Sequence, residues 1–357
     1  MLGAMAMNRS SIRKIVASTA AVFAITGSIY LARSHPNAHP DYPSGKPGIE
    51  VIIEVPTGAT GLEIARTLFS KGVVKSSSAF FARAVADARS SQIAPGAHRV
   101  NIHISAKEAL NQLLDTKRIT NLIRVTEGAW TDEIFAQLMA QNFTEITLDQ
   151  ALRGLKFPTG FGINRVYPTG DTGLEGVFFP AQYSFGQGTT SLMALQAMLD
   201  RFGVEAINSG IAAGTADFTP LQLLTIASLV QAEGDPTDFG KISQVIRNRL
   251  KVGMPLQLDT TIPYITRTRG KVFLSTDATR TASPFNTYLH YGLPPGPIDN
   301  PGRAAMDAAL HPTPGNWIYF ITVKPGDTRF TDSNSQFLTW KVEYEKNLAA
   351  GAFGKRS

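Results

Sequence analysis

The sequence predicts an α+β protein in three parts: a single amino-terminal transmembrane helix, a small α+β module and a larger mixed α/β domain. Three observations predict it. An uncharged run of 18 residues, 15–32, follows Arg9, Arg13 and Lys14. Two stretches of the body echo each other without gaps, each reading as strand, glycine turn and helix. Beyond residue 190, apolar residues recur at helical spacing in several segments separated by Pro- and Gly-rich loops. At 357 residues the chain is long enough for two or three folded units.

The amino-terminal run is bounded by Lys14 and Arg33. At about 1.5 Å per residue, it is just long enough to cross a bilayer as a helix. The preceding basic residues predict a cytoplasmic amino terminus over 1–14, a spanning helix over 15–33 and a translocated body. A cleaved signal peptide is the competing reading, permitted by Ala38. The length of the run and the lack of a clear small-x-small site favour a retained anchor. Residues 34–49, with Pro36, Pro40, Pro43 and Pro47, read as an extended tether.

The echo pairs Val55-Pro56-Thr57-Gly58-Ala59-Thr60-Gly61-Leu62-Glu63-Ile64 with Val125-Thr126-Glu127-Gly128-Ala129-Trp130-Thr131-Asp132-Glu133-Ile134, and Leu68 with Leu138. After the first copy, helices are predicted near 77–86 and 105–114, with a turn and strand over 94–100. Together they make a small α+β module over 50–120. Residues 140–190 show little periodicity, and the aromatics of Leu174-Glu175-Gly176-Val177-Phe178-Phe179-Pro180 read as core. Helices are predicted over 191–202, 220–233, 242–252 and 302–310. A strand over 317–323 and a last amphipathic helix near 335–347 complete the domain, 121–357.

Composition narrows the chemistry. There is no cysteine, which excludes disulfides and thiolate metal sites. The net charge of +6 is dispersed, without a basic stripe interleaved with aromatics, so nucleic acid is not expected as a partner. A polyanionic extracytoplasmic partner fits the charge. The histidines are scattered and no HExxH occurs, so neither a metal nor another cofactor is expected. There is no nucleophile elbow around Ser228 or Ser283.

One carboxylate remains. The apolar helix beginning at Thr219-Pro220, with Leu221, Leu223, Leu224, Ala227 and Val230 at helical spacing, ends on Glu233-Gly234. There a carboxylate faces the negative pole of the helix and is partly desolvated. Both effects disfavour its charge, which suits a general acid. An exposed glutamate that happens to end a helix is the alternative. Gln257, Asp259, Asn286, Thr287 and Tyr288 follow in loops and strand ends, where binding groups are usually presented.

Several ordered motifs now become specific. Ala227-Ser228-Leu229-Val230-Gln231-Ala232-Glu233, Val245-Ile246-Arg247-Asn248-Arg249-Leu250 and Gly253-Met254-Pro255-Leu256-Gln257-Leu258-Asp259 come first. Asn286-Thr287-Tyr288, Gly292-Leu293-Pro294-Pro295-Gly296-Pro297-Ile298, Pro301-Gly302 and Ala309-Leu310-His311-Pro312 follow. In this order they resemble the endolytic murein transglycosylase (MltG/YceG-like) family, and the resemblance covers almost the whole chain. It implies that the module from Val55 is LysM-like and that Glu233 is the catalytic acid. It further implies cleavage of the bond between N-acetylmuramic acid and N-acetylglucosamine, leaving a 1,6-anhydro end. Such chemistry needs one carboxyl group where hydrolases normally use two. Gln231 and Gly234 depart from the acid and threonine common in relatives, and Pro180-Ala181-Gln182-Tyr183 departs from Pro-Asp-Thr-Tyr.

The resulting expectation is a lyase anchored in the inner membrane, with its body periplasmic. It would limit the length of nascent glycan strands, with peptidoglycan synthases as candidate partners. Gln257, Asp259, Asn286 and Tyr288 are the candidates for positioning sugar or supporting the acid. A hydrolytic muramidase, with Asp235, Asp238 or Asp259 activating water, is one alternative. A non-catalytic peptidoglycan-binding scaffold is the other.

Overall fold

The computed structural model describes residues 39–353 except 57, 121, 162–172, 187 and 270–276. The expected amino-terminal segment and spanning helix lie outside the described residues, as does the start of the tether. Among the described residues, no helix is long and apolar enough to cross a membrane. The described residues form a mixture of helices and three two-stranded sheets. It divides into two compact units. One runs to Leu122 and takes in Ser184–Gln187; the other comprises Ile123–Tyr183 and the chain from Gly188 onward.

In the first unit β1 (Glu50–Val55) pairs antiparallel with β2 (Gly96–Asn101), from Glu50 opposite Asn101 to Val55 opposite Gly96. Between them run α1 (Gly61–Ser70) and α2 (Ser77–Ala86), and α3 (Ala106–Leu114) follows. Ile53, Ile64, Leu68, Phe80, Val100 and Leu110 make a common core. Thr60 and Ser105 cap α1 and α3 in reciprocal boxes with Glu63 and Glu108, satisfying amides that a helix start leaves open. Gly96, at φ +129°, lies so close to Ser184 that a β-carbon would meet its Cβ at 2.1 Å. Only glycine lets the Ser184 hydroxyl accept the Ala97 N–H at 2.9 Å and donate to Thr120 O at 2.7 Å.

The second unit takes in most of β3 (Leu122–Arg124) and of its pairing partner β4 (Gln182–Ser184), and α4 (Thr131–Ala140) and α5 (Glu145–Leu152) lie between them in sequence. Then come α6 (Ser191–Ser209), α7 (Pro220–Glu233), α8 (Phe239–Lys251), the short α9 (Thr261–Thr266) and α10 (Arg303–Leu310). A hairpin, β5 (Tyr319–Lys324) and β6 (Asp327–Thr331), is covered by α11 (Asn334–Ala349). Phe178 and Phe179 are buried, in the core role their sequence suggests.

The central element is α7, packed against α8 and α10. Its side chains from Leu223 to Val230 are all buried, so it is a core helix rather than one with a single apolar face, and Leu221 is half-exposed. Two hydroxyls inside it are satisfied locally. Thr225 donates to Leu221 O and Ser228 to Thr225 O, both at 2.8 Å. Several elements differ from the sequence expectation: α6 runs on past Gly203 to Ser209, and β4, α5, α9 and β6 lie where the sequence predicts none.

Candidate functional site

The carboxyl end of α7 carries the site. Thr219 caps the other end, accepting the Gln222 N–H while Gln222 Oε1 accepts the Thr219 N–H, and Pro220 occupies the first turn. The helix stops at Glu233. Gly234 is extended rather than left-handed; its Cα lies against α8, where a β-carbon would meet Ile242 Cδ1 at 2.3 Å. Close packing, not a turn conformation, accounts for the glycine.

Glu233 keeps part of its surface in contact with solvent, but its carboxyl is desolvated. Burial pushes its pKa up to about 7, and the negative charge of Asp259 adds to the rise. Hydrogen bonds from Thr260 and the positive charge of Arg249 act the other way. Thr260 donates twice to Glu233 Oε1, from Oγ1 at 2.5 Å and from its backbone N–H at 3.3 Å. Arg249 reaches the site from α8. Buried to 7% exposure, it donates to Leu256 O and to Ile318 O. Its fixed charge therefore sits near Glu233 without a carboxylate partner in contact among the described residues.

The loop following α8 and the 286–288 segment are laced together behind this group. Gln257, at φ +46°, donates its N–H to Thr287 O at 3.0 Å, and Leu258 donates to Thr287 Oγ1 at 2.9 Å. The Tyr288 hydroxyl donates to Asp259 Oδ1. Burial first, and that bond second, raise the Tyr288 pKa and keep the phenol protonated. Glu233, Asp259 and Tyr288 are thus brought together, and each bears electrostatically on another. Gln257 is on the same loop with its side chain exposed.

Asn286 is placed differently from the sequence expectation. It is fully buried and its carboxamide is spent on the chain. Nδ2 donates to Thr279 O at 3.0 Å and Thr281 O at 2.7 Å, while Oδ1 accepts the Tyr288 N–H at 2.9 Å. It holds the loop that presents Tyr288. Asparagine before a tyrosine in a polar loop looks the same in sequence whether it faces inward or outward.

Beside the end of α7 lies a cavity of about 270 Å³, lined by Gly128, Trp130, Gln231, Thr260, Arg269 and Asp299 among others. The Arg269 guanidinium lies 3.7 Å over the Trp130 ring and is paired with Glu133 at 2.7 Å. Gln231 Oε1 accepts the Gly302 N–H at 3.0 Å, so this side chain fastens α7 to the start of α10. Sequence reasoning missed Thr260, Arg249, Trp130, Arg269 and Asp299 as parts of the site. Arg249 lies within a motif already singled out, and Thr260 directly follows another; no local signal marks Asp299. Among the described residues, no group of three or more His, Asp or Glu could hold a metal ion.

With this geometry in view, comparisons place the chain. The sequence profile of the YceG-like family matches residues 53–342. An endolytic murein transglycosylase from Bacillus subtilis (strain 168) is 32% identical over 317 residues, covering 82% of this chain and 84% of the relative. Proteins of the same name from two strains of Streptococcus pneumoniae are 29% identical over 329 residues, and the chain spans 58% of their length. The crystal structure of a yceG-like protein from Listeria monocytogenes has the same fold. Its TM-score is 0.55 at 22% identity, covering 82% of this chain and 99% of that one. The chain belongs to the YceG-like family.

Proposed function

We propose that this chain is a peptidoglycan lytic transglycosylase, a lyase in which Glu233 acts first as general acid and then as general base. One observation carries the reading beyond family membership: the desolvated carboxyl at the end of α7 titrates at about 7, so a large fraction is protonated at neutral pH. Protonated Glu233 donates to the oxygen linking N-acetylmuramic acid C1 to N-acetylglucosamine, and the C1–O bond breaks. The muramic 6-hydroxyl closes on C1 and gives its proton to the Glu233 carboxylate. The products are a 1,6-anhydro end and a free 4-hydroxyl; no water is consumed and the acid is regenerated.

The surrounding groups serve this cycle. Thr260 orients the carboxyl, and Arg249 moderates the cost of its charged form. Asp259 holds the proton affinity high, with Tyr288 fixing its position. The segment 15–33 is the proposed anchor, which places the body on the outer face of the cytoplasmic membrane beside nascent strands and their synthases. The first unit is the proposed LysM-like glycan holder.

Mass spectrometry of products from purified glycan strands tests the reaction. Anhydro ends are expected; reducing ends would replace the lyase with a hydrolytic muramidase. A folded Glu233→Gln protein that digests strands as fast as the parent would leave only a binding scaffold.

A further inference from the structure

We infer that the cavity beside the end of α7 is a separate sugar subsite, in which Asp299 offers its carboxyl to a neutral oxygen of an N-acetylated sugar. The inference rests on the proposed glycan substrate and adds a binding residue to it. Its basis is one unsatisfied group in a segment where the surrounding polar groups are satisfied. The Ile298 N–H donates to Ser228 Oγ at 3.0 Å. Asn300 donates from Nδ2 to Ala129 O at 2.9 Å and to Glu175 Oε1 at 3.0 Å, and its Oδ1 accepts the Phe178 N–H at 2.8 Å. Between them stands Asp299, 2% exposed, lining the cavity, with an Oδ1 that has no hydrogen-bond partner. A buried polar atom left without a partner destabilises a fold by an amount comparable to a lost hydrogen bond, so a ligand that supplies the partner is the economical explanation.

The walls indicate what kind of ligand fits. Pro263, Ile298 and Trp130, the last with Arg269 over its ring, give the cavity apolar lining, while Gln231, Arg269 and Asp299 give it polar groups. Apolar faces with polar rims match a pyranose ring, and the cavity is on the scale of one such ring. Burial, reinforced by the charge of Glu175, pushes Asp299 well above the usual carboxylate range against the pull of Arg269, which favours the protonated form that can donate. A neutral donor suits a hydroxyl or an acetamido carbonyl better than the charged ends of a stem peptide. Thr260, which holds Glu233, also lines this cavity, so a strand seated here adjoins the acid.

The test uses the full chain carrying Glu233→Gln, with stem-free N-acetylglucosamine oligomers as probe, and the Glu233 protein for turnover of glycan strands. Asp299→Leu keeps the branched shape but not the donor, Asp299→Asn restores a donor, and Thr268→Trp fills the cavity from a partly exposed lining position. Asp299→Leu and Thr268→Trp are expected to weaken oligomer binding about tenfold, with the turnover loss appearing in KM rather than kcat. Asp299→Asn should recover most of it. A purely structural Asp299 would change thermal stability and leave KM untouched. Unchanged oligomer affinity in both Asp299→Leu and Thr268→Trp, with Glu233-dependent cleavage intact, overturns the subsite and spares the reaction. Loss confined to stem-bearing strands makes the occupant a peptide and also overturns it. If Asp299→Leu does not fold, Thr268→Trp decides. If the parent cleaves no strand, the proposed reaction fails, and oligomer binding still judges the cavity.

Discussion

In the first unit a turn at Gly58 leads from β1 into α1; in the second, a turn at Gly128 leads from β3 into α4. The two are alike down to their bonds. Both glycines are left-handed, at φ +78° and +75°. The next N–H closes each turn, Ala59 onto Pro56 O at 3.0 Å and Ala129 onto Thr126 O at 3.1 Å. Glu63 and Glu133 each reach back to the amide that starts the helix, at 2.7 and 2.8 Å. Ile64 and Ile134, and Leu68 and Leu138, are buried in register. What lies opposite the turn differs. A β-carbon on Gly58 would meet nothing within 4 Å, whereas one on Gly128 would sit 3.6 Å from Asp299 Oδ2 and from Gln231 Cγ. Thr60 gives way to Trp130 at the cap. Local sequence builds the same frame twice, and residues far away in sequence decide whether it faces a site.

The sharpest way to break this contrast is activity. Glu233→Gln should lower strand cleavage by at least about 100-fold, while Gly58→Ala leaves turnover within about twofold. An equal loss from both would remove the assignment of chemistry to the second unit. Next in size are the two glycines themselves. Gly58→Ala and Gly128→Ala should each cost about 1 kcal/mol in denaturant unfolding, because both force a β-carbon into a left-handed position. Only Gly128→Ala should also raise KM, by about threefold, since its β-carbon enters the cavity.

Two substitutions sharpen the electrostatics. Activity that needs protonated Glu233 should fall as pH rises through about 7. Thr260→Val removes hydrogen bonding that favours the charged form, so the alkaline limb of kcat/KM should move to higher pH. Asp259→Asn removes a charge that disfavours it, so the limb should move lower. Shifts of the same sign would contradict the arrangement around Glu233.

The same titration bears on stability. The folded Glu233 pKa lies above its ordinary value of 4.5, so between about 4.5 and 7 the folded state binds more protons than the unfolded one. Stability from this group is present at acid pH and lost as pH rises through 7. Melting curves at pH 5 and pH 8 should show the parent losing stability relative to Glu233→Gln.

Much of this frame was legible because it rests on short-range rules. Thr219, Pro220 and the apolar run to Val230 mark α7, and the carboxylate at its end marks the proposed acid. Elements without such marks were missed. In β6, Asp327–Thr331 lacks an apolar alternation, and each of its residues is only half-buried. In α9, Pro263 sits inside a six-residue helix. The continuation of α6 hid behind Gly203, a helical glycine accommodated beside Pro158. The site divides the same way. Glu233 could be found from its own helix, and Asp259 and Tyr288 from their loops. Asp299 could not, because Gly128, Gln231 and Arg269, with which it lines one cavity, meet it only in the fold.

The bond from the Gly302 N–H to Gln231 Oε1 has one more consequence. A glutamate at 231 could accept the same hydrogen bond, so fastening α7 to α10 does not require an amide. What the amide avoids is a rival for protons. With Asp299 already lining the cavity, a carboxyl at 231 would make two acids share one desolvated space, and one would have to stay protonated for both to remain. Residues 231 and 299 therefore form a single unit of substitution. Gln231→Glu should be tolerated best when Asp299→Asn accompanies it, and a chain that changes one has reason to change the other.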